Sequence, residues 1–199
     1  MFARCGKDLV SPDPVVPANI AKTEPIPTKQ TSSPQSPTSA SAIAVSNDGT
    51  LFAAVNPDSD SITIVNAVTL EILAEIPVGK DPRTLAFTPD SKNIVVANQG
   101  SGTISIIDTQ NTISKAEYLI GPRPYGVVAD SDRAYVTESV NGQVVTIDLE
   151  SGTVEKRIPV DPSPTCIAIN SAAHQLFVTH LFDGALTVIN TSKSEVGTK

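Results

Sequence analysis

The chain has 199 residues, a formal net charge of -7 and a pI near 4.7, with 40% apolar but only 4% aromatic residues. That length suffices for one domain or for part of a larger one. No run of about eighteen apolar residues occurs, which excludes a membrane-spanning helix. After residue 40, ten Lys or Arg face eighteen Asp or Glu, a balance that speaks against a nucleic-acid binder. Cys5 and Cys166 are too few for a disulfide framework or a cysteine-built zinc site.

Residues 1–40 hold seven of the sixteen prolines and nine Ser or Thr. Such a stretch buries too little apolar surface to offset its ordering entropy and reads as a disordered Pro/Ser/Thr-rich linker. No cationic segment followed by an apolar run is visible at its start, so no export signal is expected in this numbering. Asn19 to Ile26 is its best candidate for a strand.

From residue 41 onward the chain repeats itself. Ala44, Ala86, Val128 and Ala168 are spaced by 42, 42 and 40 residues, and a second register, Asn66, Asp108, Asp148 and Asn190, by 42, 40 and 42. The difference places a two-residue deletion in the first turn of the third repeat. In the second repeat the expected strands are Thr84 to Phe87, Asn93 to Ala97, Thr103 to Ile107 and a weaker one from Ser114 to Ile120. They are separated by Asn, Asp, Gly and Pro. Ile- and Val-rich strands at this spacing are antiparallel β structure, and four strands per period of about 40 residues make propeller blades. The fold expected is therefore all-β, with four blades at about 41–82, 83–124, 125–164 and 165–199. The fourth repeat reads as ending after its third strand.

The motifs Ala86-Phe-Thr-Pro-Asp90, Ala134-Tyr-Val-Thr-Glu138, Ile94-Val-Val-Ala-Asn98, Gly102-Thr-Ile-Ser-Ile-Ile-Asp108 and Ile76-Pro-Val-Gly79 resemble the YVTN family of β-propeller repeats. The resemblance covers residues 41–199 and implies a seven-bladed ring, of which about four blades are present, and a place at the bacterial cell surface or in the periplasm. A ring of seven would need roughly 280 to 300 residues at this period. The chain thus reads as part of a longer product, as one arc of a homo-oligomeric ring, or as a small ring closed by a linker strand.

Positions that recur in every repeat are assigned to folding. Asn66, Asp108, Asp148 and Asn190 are expected to bond the turns that follow them. Function is sought where repeats differ, on the face made by the loops entering each inner strand and the loops between strands two and three. The candidate ligand-binding residues there are Arg83, Arg123, Tyr125, Glu138 and His180. Arg supplies a fork for carboxylate or phosphate, Tyr a stacking surface, and His a group titrating near neutrality. No catalytic set, metal site or cofactor is assigned. His174 reads as a solvated turn residue, Cys166 as a buried thiol, and Asp58-Ser-Asp60 lacks the full pattern of a calcium loop. The leading expectation is a non-catalytic cell-envelope propeller that binds protein, peptide or glycan at its loop face. The alternative is the propeller portion of a periplasmic enzyme, either a lactonase-like hydrolase or an oxidoreductase-associated domain.

Overall fold

The computed structural model describes residues 38–182, 184–193 and 195–197. The stretch 1–37, including Asn19 to Ile26, lies outside the described residues. Thr38–Ser39 (β1) is followed by four antiparallel sheets in chain order: β2 to β5 (Ile43–Val45, Leu51–Asn56, Ser61–Asn66, Ile72–Pro77), β6 to β9 (Pro82–Phe87, Asn93–Asn98, Thr103–Asp108, Ile113–Leu119), β10 to β13 (Pro124–Ala129, Arg133–Glu138, Gln143–Asp148, Val154–Pro159) and β14 to β17 (Pro164–Asn170, Gln175–His180, Leu186–Asn190, Glu195–Val196). Each is a four-stranded meander paired in chain order, and in the fourth β1 adds a fifth strand at the edge, beside β14. This is the blade arrangement of a β-propeller, with four blades present as part of a ring. The short β17 gives the fourth repeat a fourth strand, which the polar sequence after Asn190 concealed.

Alternation along each strand places one apolar row on each side of a blade, so that successive blades bury them against each other. Ala53, Ile62 and Ile64 of the first blade pack on Leu85, Phe87, Ile94 and Val96 of the second. Val95 and Ile104 of the second meet Val127, Val136 and Ile147 of the third, and Tyr135 and Val144 of the third meet Ile167, Leu176 and Ile189 of the fourth. The two end faces have no such neighbour among the described residues. Ile43 and Val45 are more than half exposed on the first blade, as is Leu186 on the fourth. Cys166 lies on that same face and is exposed, correcting its assignment to the interior. Alternation explains it: Ile167 takes the side packed on the third blade, so its neighbour faces away.

The turns behave as their residue types dictate. Asn66 Oδ1 accepts from the amides of Val68 and Thr69, Asp108 Oδ1 from Gln110 and Asn111, Asp148 Oδ1 from Ser151, and Asn190 Oδ1 from Lys193. These bonds, the Asn111 amide first and Lys115 next, hold the Asp108 carboxyl down at about 2. His174, exposed at the turn after Asn170, adopts a left-handed backbone with φ 53°.

Thr38–Ser39, at the end of the stretch expected to be a linker, forms a strand that joins the fourth sheet. It pairs with the free edge of β14, opposite Ile169 and Ala168, and Ala40 N donates to Ile167 O at 2.9 Å. The chain then crosses to the second blade, where Leu85 N donates to Ser41 O at 2.9 Å. Inner edges that would otherwise expose unpaired amides and carbonyls are partly capped this way.

Candidate functional site

The loops that enter each inner strand and those after each second strand share one end of the blades. Three repeats tie them together identically: Gln99 N donates to Asp81 O, Ser139 N to Arg123 O and Leu181 N to Ser163 O, at 2.9, 3.4 and 3.1 Å. The accepting residues all have left-handed backbones, φ 53° to 55°, although none is glycine. Each directly precedes the proline that starts an inner strand, at Pro82, Pro124 and Pro164. Non-glycine residues in this region cost of order 1 kcal/mol or more, so three repeats accept a strained turn to present the same loop.

On this face Arg83 and Arg123 are exposed and Tyr125 is half-buried. Arg83 Nη2 lies 2.9 Å from Asp81 Oδ2. Tyr125 is held through its backbone, its carbonyl accepting from Thr84 Oγ1 at 2.6 Å across the junction of the second and third blades. Glu138 and His180 are in a different situation. Both are buried, at 0% and 5% exposure, inside the junctions between blades. The Glu138 carboxylate accepts from Asn141 Nδ2 at 2.9 Å, from Gln143 Nε2, and from Arg157 Nη1 at 3.2 Å; Arg157 Nη2 also donates to Ile120 O at 2.6 Å. His180 uses both ring nitrogens, Nδ1 with Pro162 O at 3.1 Å and Nε2 with Thr187 Oγ1 at 2.9 Å. Thus Arg83, Arg123 and Tyr125 stand at the accessible face, and Glu138 and His180 beneath it.

The slot occupied by Glu138 and His180 is the same in every blade. Asn56 Nδ2 donates to Ser61 Oγ and Thr63 Oγ1, and Ser61 Oγ to Glu75 Oε1. Asn98 Nδ2 likewise donates to Thr103 Oγ1 and Ser105 Oγ, and Thr103 Oγ1 to Glu117 Oε1. A polar ladder therefore runs across strands two, three and four. In the third blade its sense is reversed, Glu138 replacing the Asn and Arg157 the Glu. Neither Arg157 nor Gln143 stands out by residue type. The available signal was covariation between repeats, since Glu75, Glu117 and Arg157 are spaced by 42 and 40 residues like the rest of the chain. Small linker residues admit the ladder: a Cβ on Gly121 would collide with Glu138 Oε1, and one on Gly79 would sit 2.6 Å from Asn98 Nδ2.

Among the described residues, no group of three or more His, Cys, Asp or Glu is placed to hold a metal ion. What the face offers chemically is a pair of exposed guanidinium groups, a phenol, and the Asp81 carboxylate against Arg83.

Blades of this build, stacked through apolar rows and crossed by a polar ladder, define a β-propeller protein. The family model "Lactonase, 7-bladed beta-propeller" matches residues 17–120, more than half of the chain, and the chain belongs to that family. Among solved structures it is similar to Kuenenia stuttgartiensis hydrazine synthase, with 24% identity and a TM-score of 0.72 over 78% of this chain and 47% of that one. It is also similar to the dihydro-heme d1 dehydrogenase NirN in complex with DHE, with 16% identity and a TM-score of 0.63 over 80% of this chain and 36% of that one. The chain spans about half the length of the first and about a third of the second. These two likenesses concern the fold. No curated protein matches the chain.

Proposed function

We propose that this chain is the propeller portion of a lactonase-like hydrolase whose chemistry takes place at the loop face carrying Arg83, Arg123 and Tyr125. The observation that carries this reading is the lactonase family match over residues 17–120, which favours an enzyme over a scaffold that only binds. Opening a lactone requires water to attack the ring carbonyl, a donor for the oxyanion that forms, and an acceptor for the water proton. Arg83 is the donor in this reading and Asp81, 2.9 Å away, the acceptor. As the ring C–O bond breaks, the proton returns to the leaving alkoxide, giving a hydroxy acid. Arg123 then faces the new carboxylate and Tyr125 the apolar part of the ring. The YVTN-type repeats and the cell-envelope location they imply belong to the same proposal.

The test is proton release from γ-butyrolactone and δ-valerolactone, followed in a pH-stat with the full chain. Turnover is expected, falling at least tenfold in kcat/KM for Arg83→Ala with an unchanged circular dichroism spectrum. Absence of turnover on both lactones overturns the hydrolase. The oxidoreductase-associated alternative would then take precedence, with the names of the two solved neighbours in its support.

A further inference from the structure

A cavity of about 730 Å³ lies between the outer strand of the second blade and the turns of the third, away from the loop face. That volume is within the range of small-molecule sites. Its origin is legible in the repeat. Between the first and second blades the turns joining strands one and two are stitched together, Asn47 Nδ2 donating to Pro89 O at 3.0 Å and Asp48 N to Ser91 Oγ at 3.4 Å. The corresponding turn of the third blade, running from Asp130 to Arg133, is two residues shorter than Thr88 to Asn93. Among the described residues no hydrogen bond joins it to the turn of the second blade. The deletion leaves space where the previous junction is closed.

A second local change shapes the wall. Tyr118 occupies the position held by Ile76 and Ile158 in the neighbouring repeats, and its ring lies directly against Gly152, where any Cβ would collide with it. The first two repeats have Leu70 and Thr112 in place of that glycine. An aromatic ring and the one residue that admits it are thus paired across this junction alone.

Charge narrows the occupant. Asp132, Asp148 and Glu150 line the cavity together with Lys115 and Arg133. Both cations are already matched by acids outside the lining: Lys115 Nζ lies 3.0 Å from Asp108 Oδ2, and Arg133 Nε donates to Glu155 Oε2 at 2.6 Å. None of the three lining carboxylates forms an ion pair within 4 Å among the described residues. Asp148 is held down first by its bonds from Ser151 and in smaller part by the Arg133 charge, which leaves Asp132 and Glu150 as the uncompensated pair. The three do not converge as a metal site would, so the negative charge is spread along the walls. Spread carboxylates beside an aromatic face suit an extended organic cation, and disfavour an anion or a compact metal ion.

We propose that the cavity between the second and third blades, opened by the shortened Asp130–Arg133 turn and walled by Tyr118, binds a polyamine-type organic cation. The test is calorimetric titration of the full chain with spermidine at about 50 mM salt, a concentration at which exposed charges are not fully screened. Saturable one-to-one binding is expected. The double substitution Asp132→Asn with Glu150→Gln should weaken it at least tenfold, and Gly152→Ala, by displacing the Tyr118 ring, at least threefold. A turn substitution that unfolds the chain would show in circular dichroism, and the double variant, which relieves repulsion between acids, provides the independent readout. No saturable heat, or equal affinity in the double variant, overturns the proposal. Competition by magnesium ions equal to that by spermidine at matched charge also overturns it, reducing the effect to general screening.

Discussion

The junction between the first and second blades and the junction between the second and third use one geometric slot in opposite ways. In the former, Asn98 donates through Thr103 towards Glu117, whose carboxylate ends near solvent. In the latter, the carboxylate is on the inside as Glu138 and the compensating cation, Arg157, is 42% exposed. A neutral amide needs only hydrogen-bond partners when buried. A carboxylate needs those and a counter-charge. The third blade supplies all of them, from Asn141, Gln143 and Arg157. The lesson is that repeats preserve a polar path across three strands rather than the residues that build it, and the path is complete around Glu138 but leaves the buried Asn98 Oδ1 without a partner among the described residues.

Breaking the ladder at equivalent positions should therefore give unequal effects. Arg157→Met leaves Glu138 buried without its cation and should cost about 3 kcal/mol, at the low end for a buried pair because Arg157 is partly in water. Glu117→Gln keeps a hydrogen-bond acceptor at the exposed end of the ladder and should cost about 1 kcal/mol or less. Urea unfolding of the two variants side by side measures the contrast, and equal losses would show that charge reversal carries no energetic weight. Adding Glu138→Gln to Arg157→Met should recover much of the deficit.

The junctions also differ in how inner strands are stitched. Thr137 Oγ1 donates to Thr165 O at 2.7 Å and accepts from Gly126 N at 2.8 Å, whereas Thr84 Oγ1 makes the single bond to Tyr125 O. Thr137→Val orphans a buried amide and should cost about 2 kcal/mol; Thr84→Val, which loses one donor, should cost about 1 kcal/mol. Thermal melts that rank them in reverse would contradict this accounting.

The smallest expected effect is at the turn that closes the third strand of the second blade. The Asp108 carboxyl titrates at about 2 in the fold, against an ordinary value of 3.8. A depressed folded pKa stabilises above the unfolded value and loses that contribution as pH falls from 3.8 towards 2. Stability profiles of the parent and of Asp108→Asn should converge over that acid window and stay separated above it. Parallel profiles would remove the carboxylate from the account.

Much of the architecture is legible in the residues alone. Strand alternation, the 40 to 42 residue period and the Asn or Asp closing each third strand rest on local chemistry, and the turn bonds of Asp108 and Asp148 follow from residue type. Cys166 was misplaced because alternation says that two sides exist but not which side a neighbouring blade will cover. For the same reason Glu138 and His180 are legible as exceptional residues, while their burial depends on partners 3 to 19 positions away in sequence. Gly152 and Tyr118, 34 residues apart in the sequence, became a pair only when two blades met.

The sequence by itself determined the repeat, the strands and the turns, because period-two alternation and short polar turn residues act within a few positions of themselves. Only the tertiary structure decided which polar residues face water, which are sealed in a junction, and where two missing residues open a cavity. Those outcomes depend on what the adjacent blade presents, and a blade's neighbour is about 40 residues away along the chain.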